Sequence, residues 1–354
     1  MLRSVTDHLQ RWRDRVRRRL AMWVWDRPNR TSGSFQNRVV FVRWDAKLGD
    51  TIVLSWVFRE LKRQRPDLEV TVITGQSFED LFRRGYGIES VYLAGKRHGL
   101  AELKRIAQQI KYPRYVVHLS LKWRPRDIRF IRQLEPAHVV GLDDELKCVD
   151  VKLGQLTRGR HFSEKLVPWL DGLGVDTTDR RYWIPRLPQA QERVGQWWPQ
   201  GRVVGLCPFG ASRKRQMSVE QITVVANAVL DKPDTYLLLI ASPSQMDALK
   251  ALVVRQAWSD RVLIQPSQNF FELFEQVARC DAVVSVDTAL VHVAAGFQKP
   301  LLALYADVSQ HADNFINWHP NKQTAVCLFN QFEQSVIDAE ADDRLRAGVE
   351  QLLA

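Results

Sequence analysis

The chain reads as an α/β protein built from two doubly wound halves, and two observations predict this. β-rich runs and helical patterns alternate from Arg38 onward, stop at "WIPRLPQAQERVGQWWPQG" (Trp183 to Gly201), and resume at Arg202. Strand, helix, strand order implies parallel pairing, because a crossover helix returns the chain to the same end of the sheet. At 354 residues the chain is also longer than one core usually serves.

In the first half, "RVVFVRW" (Arg38 to Trp44) is a short strand, "AKLGD" a turn, and "TIVLSWVFRELKRQRP" a helix that Pro66 closes. "LEVTVIT" (Leu68 to Thr74) is a second strand and "SFEDLFRRG" a short helix; "AELKRIAQQIKYP" and "RYVVHLS" repeat the pattern, and "AHVVGL" adds a strand. The second half opens with "RVVGLCPFG" (Arg202 to Gly210). Helices "VEQITVVANAVL", "PSQMDALKALVVRQ", "FFELFEQVARC" and "ALVHVAAG" then alternate with strands "TYLLLIAS", "RVLIQPS", "DAVVSV" and "PLLALYA". The predicted domains are 36–185 and 201–330, joined by a linker at 186–200, with a helix in 331–354 packing back toward the first half. Doubly wound halves place a ligand between them, beyond the C-terminal ends of the strands.

Residues 1–30 stand apart. They hold nine arginines against Asp7, Asp14 and Asp26, more than half of the chain's formal charge of +11. Val5, Leu9, Trp12, Val16, Leu20 and Trp23 recur at spacings of three and four, which puts them on one helix face. Such a helix can lie on an anionic bilayer with its tryptophans at headgroup level, or dock on the protein by the same stripe. No run of about 18 apolar residues is present to span a membrane, and arginines interrupt every candidate signal-peptide core.

A hydrophobic share of 45% and a charged share of 26% describe a globular chain. Cys148, Cys207, Cys280 and Cys327 are widely spaced without a C-x-x-C pattern, which argues against a zinc site or a disulfide framework and points to a reducing cytosol.

Four stretches can carry chemistry. In "VVSVDTALVHVAAGFQKP" a strand ends at Val286, Asp287 follows at its edge, and Thr288 suits the N-cap of a helix that Gly296 ends. The first N–H groups of that helix, at Ala289 and Leu290, form an anion site, and His292 lies one turn on. The alternative is that Asp287 and Thr288 only cap the helix while His292 is a core residue. In "RWDAKLGDTIVLSW", Gly49 permits close backbone approach and Asp50 precedes a helix, as a general base or a simple cap. In "CPFGASRKRQMS", Ser212, Arg213, Lys214 and Arg215 follow a strand where a diphosphate would lie. In "HLSLKWRPRDIR", Lys122, Arg124 and Arg126 make a second anion site, or a charged helix surface. Neither a dinucleotide fingerprint nor a P-loop is present.

Together these stretches resemble glycosyltransferase family 9, the ADP-heptose:lipopolysaccharide heptosyltransferases, from roughly Val39 to Tyr305. "VDTALVHVAAGFQKPLLALY" is similar to the family's most specific signature, "RWDAKLGDTIVLSWVFRELKRQRP" to its N-terminal Gly-Asp block, and "YVVHLSLKWRPRD" to the block usually written [VI]-[VI]-D-L-Q-G. Ala289 stands where the family usually has glycine, and "CPFGASRKRQMS" lacks a K-x-W often found there.

The resemblance implies a GT-B fold, two Rossmann-like halves around a central cleft, here with an added N-terminal amphipathic helix. It implies inverting, metal-independent transfer of a heptose from ADP-heptose, without a further cofactor. Asp50 then takes the catalytic-base position, and Asp287, Thr288, Ala289, Leu290 and His292 contact the donor with Ser212, Arg213, Lys214 and Arg215. Gly49, Lys122, Arg124 and Arg126 fall to the acceptor, a lipid A-core oligosaccharide at the cytoplasmic face of the inner membrane. The alternatives are a different donor sugar, or a non-enzymatic membrane- or polyanion-binding protein; no nucleic-acid motif appears.

Overall fold

Val39, Val40, Phe41 and Val42 offer water no polar face, and such a run is stable only as a strand covered on both sides. Runs of this kind form two six-stranded parallel sheets. The computed structural model describes residues 2–29, 32–45, 47–95, 99–212, 215–258, 260–264, 266–306, 312–321, 324–330 and 339–354. The chain divides into two units, Met1–Ala46 with Val57–Arg180, and Lys47–Trp56 with Arg181–Ala354.

In chain order, the elements up to Arg180 are α1 (Leu2–Trp25), β1 (Gln36–Arg43), α2 (Leu48–Val53), α3 (Ser55–Gln64), β2 (Glu69–Thr74), β3 (Ser90–Leu93), α4 (Leu100–Gln109), β4 (Pro113–His118), α5 (Pro125–Leu134), β5 (His138–Gly141), β6 (Val151–Lys152) and α6 (Val167–Gly172). The first unit's sheet has the order β3-β2-β1-β4-β5-β6, with Val40 of β1 in register with Thr71 of β2 and Val116 of β4. This order reverses direction beside the central strand, so loops at the C-terminal strand ends splay apart and leave room for a ligand.

The second unit continues with α7 (Pro188–Gly195), β7 (Arg202–Cys207), α8 (Val219–Leu230), β8 (Thr235–Leu239), α9 (Met246–Arg255), β9 (Val262–Leu263), α10 (Phe270–Arg279), β10 (Ala282–Val286), α11 (Ala289–Gly296), β11 (Leu301–Ala306), α12 (Ala312–Trp318), β12 (Val326–Asn330) and α13 (Ala339–Leu353). Its sheet order, β12-β11-β10-β7-β8-β9, repeats that of the first.

Two expected boundaries need correction. Lys47–Trp56 belongs with the second unit rather than with 36–185, because α2 packs on α11 and buries Thr51, Ile52 and Val53. Residues 186–200 are not a free linker: α7 buries Ala190 and Val194 against α10, while Arg186 pairs with Glu275 and Arg193 with Glu272, each at 2.8 Å. The density of Pro and Gln hid that helix, though Pro188 sits in its first turn, where the missing N–H costs nothing. Helix α13 belongs to the second unit. Leu345, Val349 and Leu353 recur on one helix face and complete the second unit's core beside α8 and β11. Residues 331–338 lie outside the described ones.

Helix α1 docks on α5 in the first unit, but by a face other than the expected one. Ala21 is buried, and Met22 and Trp25 pack beside it against the core. Arg18 donates to both oxygens of Asp143 at 2.9 Å and to Glu145 at 2.6 Å. Asp26 accepts from the backbone N–H groups of Lys147 and Cys148 at 3.0 and 2.9 Å. The small Ala21 permits close backbone approach, and the ionic contacts are invisible to hydrophobic periodicity. Of the expected stripe, Trp12 (65% exposed), Val16, Leu20 and Trp23 (83%) stay in solvent; the side chains of Val5 and Leu9 lie outside the described ones.

Candidate active site

The second unit gathers its chemistry where β10 passes into α11. Thr288 is extended, and its hydroxyl accepts from the N–H of Leu290 at 3.2 Å, capping the helix start. Ser285 lies 3.2 Å behind that hydroxyl and the buried Cys207 thiol 3.8 Å away. Thr288 thus satisfies one of the orphan donors of the helix while the positive end of the helix dipole remains. Leu290 is buried and Ala289 half-buried. Asp287, fixed by its N–H bond to the Leu304 carbonyl, turns a mostly buried carboxylate to Arg215, with Nε 3.2 Å from Oδ2. Burial pushes the Asp287 carboxyl above its ordinary value, and Arg215 and Lys47 oppose that shift.

Helix α2 arrives against this start. Gly49 faces α11 so closely that an added β-carbon would lie 3.2 Å from His292 Cδ2 and 3.6 Å from the Ala289 Cα. Asp50 follows, half-buried, and its Oδ2 accepts the Lys47 N–H at 3.0 Å. One carboxylate oxygen serves the helix start; that same anchoring fixes the direction of the side chain. His292 is 4% exposed, between Tyr182 and Trp318 with ring centroids 6.3 Å from each. Burial, then His319, lowers its pKa to about 4, so it is neutral at physiological pH, and its buried Nδ1 has no hydrogen-bond partner among the described residues.

The loop after β7 supplies the cation. Phe209 bridges to Gln216, and the Gly210 N–H donates to the Arg215 carbonyl at 2.6 Å. A β-carbon on Gly210 would stand 2.6 Å from Arg215 Cβ, so only glycine lets the loop close. Closure brings Arg215 to Asp287, while Ser212 is exposed at the loop's tip. Arg213 and Lys214 lie outside the described residues.

Residues 202–345 match the model of glycosyltransferase family 9 (heptosyltransferase). That match lies within the second unit. It is similar to an Escherichia coli protein named "Putative lipopolysaccharide heptosyltransferase 4", 23% identical over 296 residues, which is 79% of this chain and 78% of that protein. Two solved structures share its fold. A family 9 glycosyl transferase from Veillonella parvula superposes with a TM-score of 0.71 at 15% identity, over 92% of this chain and 99% of the other. The E. coli ADP-heptose lps heptosyltransferase II gives 0.65 at 15% identity, over 89% and 99%. The two parallel sheets are those of GT-B glycosyltransferases.

The remaining expected residues, Lys122, Arg124 and Arg126, lie in the first unit. Lys122 and Arg124 are exposed after β4; Arg126, partly buried in the first turn of α5, has Nε 3.6 Å from Asp127 Oδ1. Two residues near the α11 start escaped sequence reasoning. Lys47 acts on Asp287 electrostatically, and the Tyr305 hydroxyl, buried close enough to Asp287 to feel its charge, has no hydrogen-bond partner among the described residues. Lys47 sits two residues before Gly49 in the Gly-Asp block, and Tyr305 closes the "LALY" strand, so both were in view as letters without a contact to mark them. Among the described residues no three His, Cys, Asp or Glu side chains converge as a metal-binding group.

Proposed function

We propose that this glycosyltransferase moves a heptose from ADP-heptose to the phosphorylated inner core of lipopolysaccharide, with inversion and without a metal ion. One observation carries the reading: the helix bearing Asp50 is packed, through Gly49, on the helix whose start bears Asp287 and Thr288. A base and an anion-stabilising helix start are thereby held on one rigid pair of elements, as a direct displacement requires.

In this mechanism the free oxygen of Asp50 accepts the proton of an acceptor hydroxyl, that oxygen attacks the anomeric carbon from the face opposite the diphosphate, and ADP departs. General-base assistance of this kind is worth about 10²–10⁴-fold. The leaving diphosphate gains charge, which the α11 dipole, Arg215 and Lys47 offset, a contribution of several kcal/mol in partly desolvated sites. Asp287, kept as an acceptor by Arg215, hydrogen-bonds hydroxyls of the donor sugar. His292, neutral and enclosed, acts as a packing and ligand-contact residue rather than as a base.

Acceptor phosphates are held by Lys122, Arg124 and Arg126, and the exposed tryptophans and arginines of α1 rest on the anionic cytoplasmic face of the inner membrane. No described helix is long and apolar enough to cross it. A different donor sugar remains the main rival, because Ala289 adds a methyl group beside the helix start.

Calorimetry with a panel of ADP- and UDP-sugars, followed by mass spectrometry of truncated core acceptors, tests the reading. Selective binding of ADP-heptose and a product heavier by one heptose are expected. Binding of another sugar nucleotide, with its sugar transferred, overturns the donor assignment; polyanion binding without affinity for any sugar nucleotide overturns catalysis itself.

A further inference from the structure

Between α1 and the start of α5 the first unit holds a groove of about 810 Å³, within the range of small-ligand sites. Its walls carry six cationic side chains, Arg15, Arg17, Arg18, Lys122, Arg124 and Arg126, against one carboxylate, Asp14. Arg18 is neutralised by Asp143 and Glu145, whereas Arg15, Arg17 and Arg124 have no ion-pair partner among the described residues. Two buried donors on these walls, Arg18 Nε and Trp123 Nε1, also lack an acceptor among the described residues. Apart from Asp14 the polar surplus is of donors, most of them cationic, and the positive end of α5 begins at the same place.

The two walls are tied together. Asp143 accepts the Trp123 N–H at 2.7 Å through the same Oδ2 that Arg18 contacts at 2.9 Å, so α1 holds the backbone of the Lys122–Arg126 loop. The groove also has an apolar part: Leu20 and Val24 line it and belong to the exposed side of α1 that carries Trp12 and Trp23. A ligand there meets cations on one side and the edge of that stripe on the other.

We propose that the groove binds the lipid-proximal phosphate of the membrane-anchored acceptor, so that α1 is one wall of the acceptor site as well as an anchor. This rests on the acceptor reading above. With the α1 stripe at headgroup depth, Leu20 and Val24 meet the first carbons of an acyl or sugar-lipid body, while Arg15, Arg124 and Lys122 take its phosphate. Arginine's planar fork suits a phosphomonoester, which presents three oxygens.

The test titrates the full chain with monomeric dihexanoyl phosphatidic acid, dihexanoyl phosphatidylcholine and inorganic phosphate, followed by tryptophan fluorescence and calorimetry. Phosphatidic acid is expected to bind at least tenfold more tightly than either of the others. The exposed double variant R15Q/R124Q is expected to lose at least tenfold of that affinity, and L20D to reduce it to the level of inorganic phosphate. Equal binding of the two lipids, equal binding of lipid and free phosphate, or an unchanged R15Q/R124Q overturns the proposal. No donor takes part, so failure here leaves the sugar-nucleotide titration intact, and failure of that titration leaves groove binding measurable.

Discussion

Gly49 approaches His292 so closely that a β-carbon at position 49 would stand 3.2 Å from the imidazole Cδ2. Glycine at this position therefore sets the distance between α2 and α11, and with it the position of Asp50. Gly49→Ala must push the helices apart by a few tenths of an ångström or tilt the ring. The expected stability loss is about 1–3 kcal/mol, the usual cost of overpacking. Turnover should fall more steeply, by about 10- to 100-fold, since small displacements of a catalytic group cost that much. Steady-state kinetics beside chemical denaturation separates the two effects; equal activity in a folded Gly49→Ala variant would remove the positioning role.

Asp50→Asn tests the base itself. The amide oxygen can still accept the Lys47 N–H that the Asp50 carboxylate accepts at 3.0 Å, so the helix start is kept and only basicity is lost. Turnover is expected to drop by about 10²–10⁴-fold with donor affinity changed by less than threefold. Full turnover in this variant assigns the proton to another group.

Arg215 and Asp287 form the ion pair nearest the α11 start, 3.2 Å apart. Arg215→Gln removes a charged donor from the diphosphate and lets the Asp287 carboxyl rise further from its ordinary value. Donor affinity is expected to weaken by about 10- to 100-fold, the scale of one charge-assisted hydrogen bond. Arg215→Lys keeps the charge but not the fork and should fall between the two. Calorimetry with the donor reads the effect, and an unchanged dissociation constant places the diphosphate elsewhere.

The site was legible where its logic is local and hidden where it is tertiary. Thr288 caps its own helix two residues on, a relation written in the sequence itself. The alternation that marks nine of the twelve strands is likewise local, whereas the short β3 and β6 and the edge strand β12 carry no such pattern. Lys47 acts on Asp287 across 240 positions of sequence, and no periodicity predicts that contact. Helix α1 shows the same limit. Its apolar spacing marked a stripe correctly as one face, but docking went to Ala21 and Arg18, whose value comes from the small size of one and the carboxylate partners of the other.

His292 has a pKa of about 4 in the folded chain against an ordinary 6.5, because burial and then His319 disfavour the imidazolium. Between these values the unfolded chain binds a proton that the folded chain refuses, so acid favours unfolding. The contribution is fully present above about pH 6.5 and is lost as pH falls toward 4, up to about 3 kcal/mol. His292→Phe, which suits the Tyr182 and Trp318 surroundings, should flatten that acid limb. Stability measured at pH 7 and 4.5 is expected to differ by about 2–3 kcal/mol less than in the parent chain; an unchanged difference shows that other groups set the limb.

The α1 attachment makes residues 1–30 part of the structural support of the first unit. Asp143 is 3% exposed and depends on Arg18 for its counter-charge, while Asp26 holds the N–H groups of Lys147 and Cys148 next to β5 and β6. Arg18→Ala leaves a buried carboxylate short of its partner, a change worth about 3 kcal/mol at the lower end of such cases because Arg18 itself keeps some solvent contact. Deleting residues 1–30 also uncovers the core beside Ala21. Both changes should therefore speed amide hydrogen exchange at Val116, Val117, Val139 and Val140 in β4 and β5 by one to two orders of magnitude, about what 1.4 kcal/mol per factor of ten implies for a partly local opening. Amides of β7 and β10 in the second unit should exchange as before. Uniform protection in the Arg18→Ala chain would show that α1 only rests on the first unit and that the groove beside it is not held by the Arg18 to Asp143 contact.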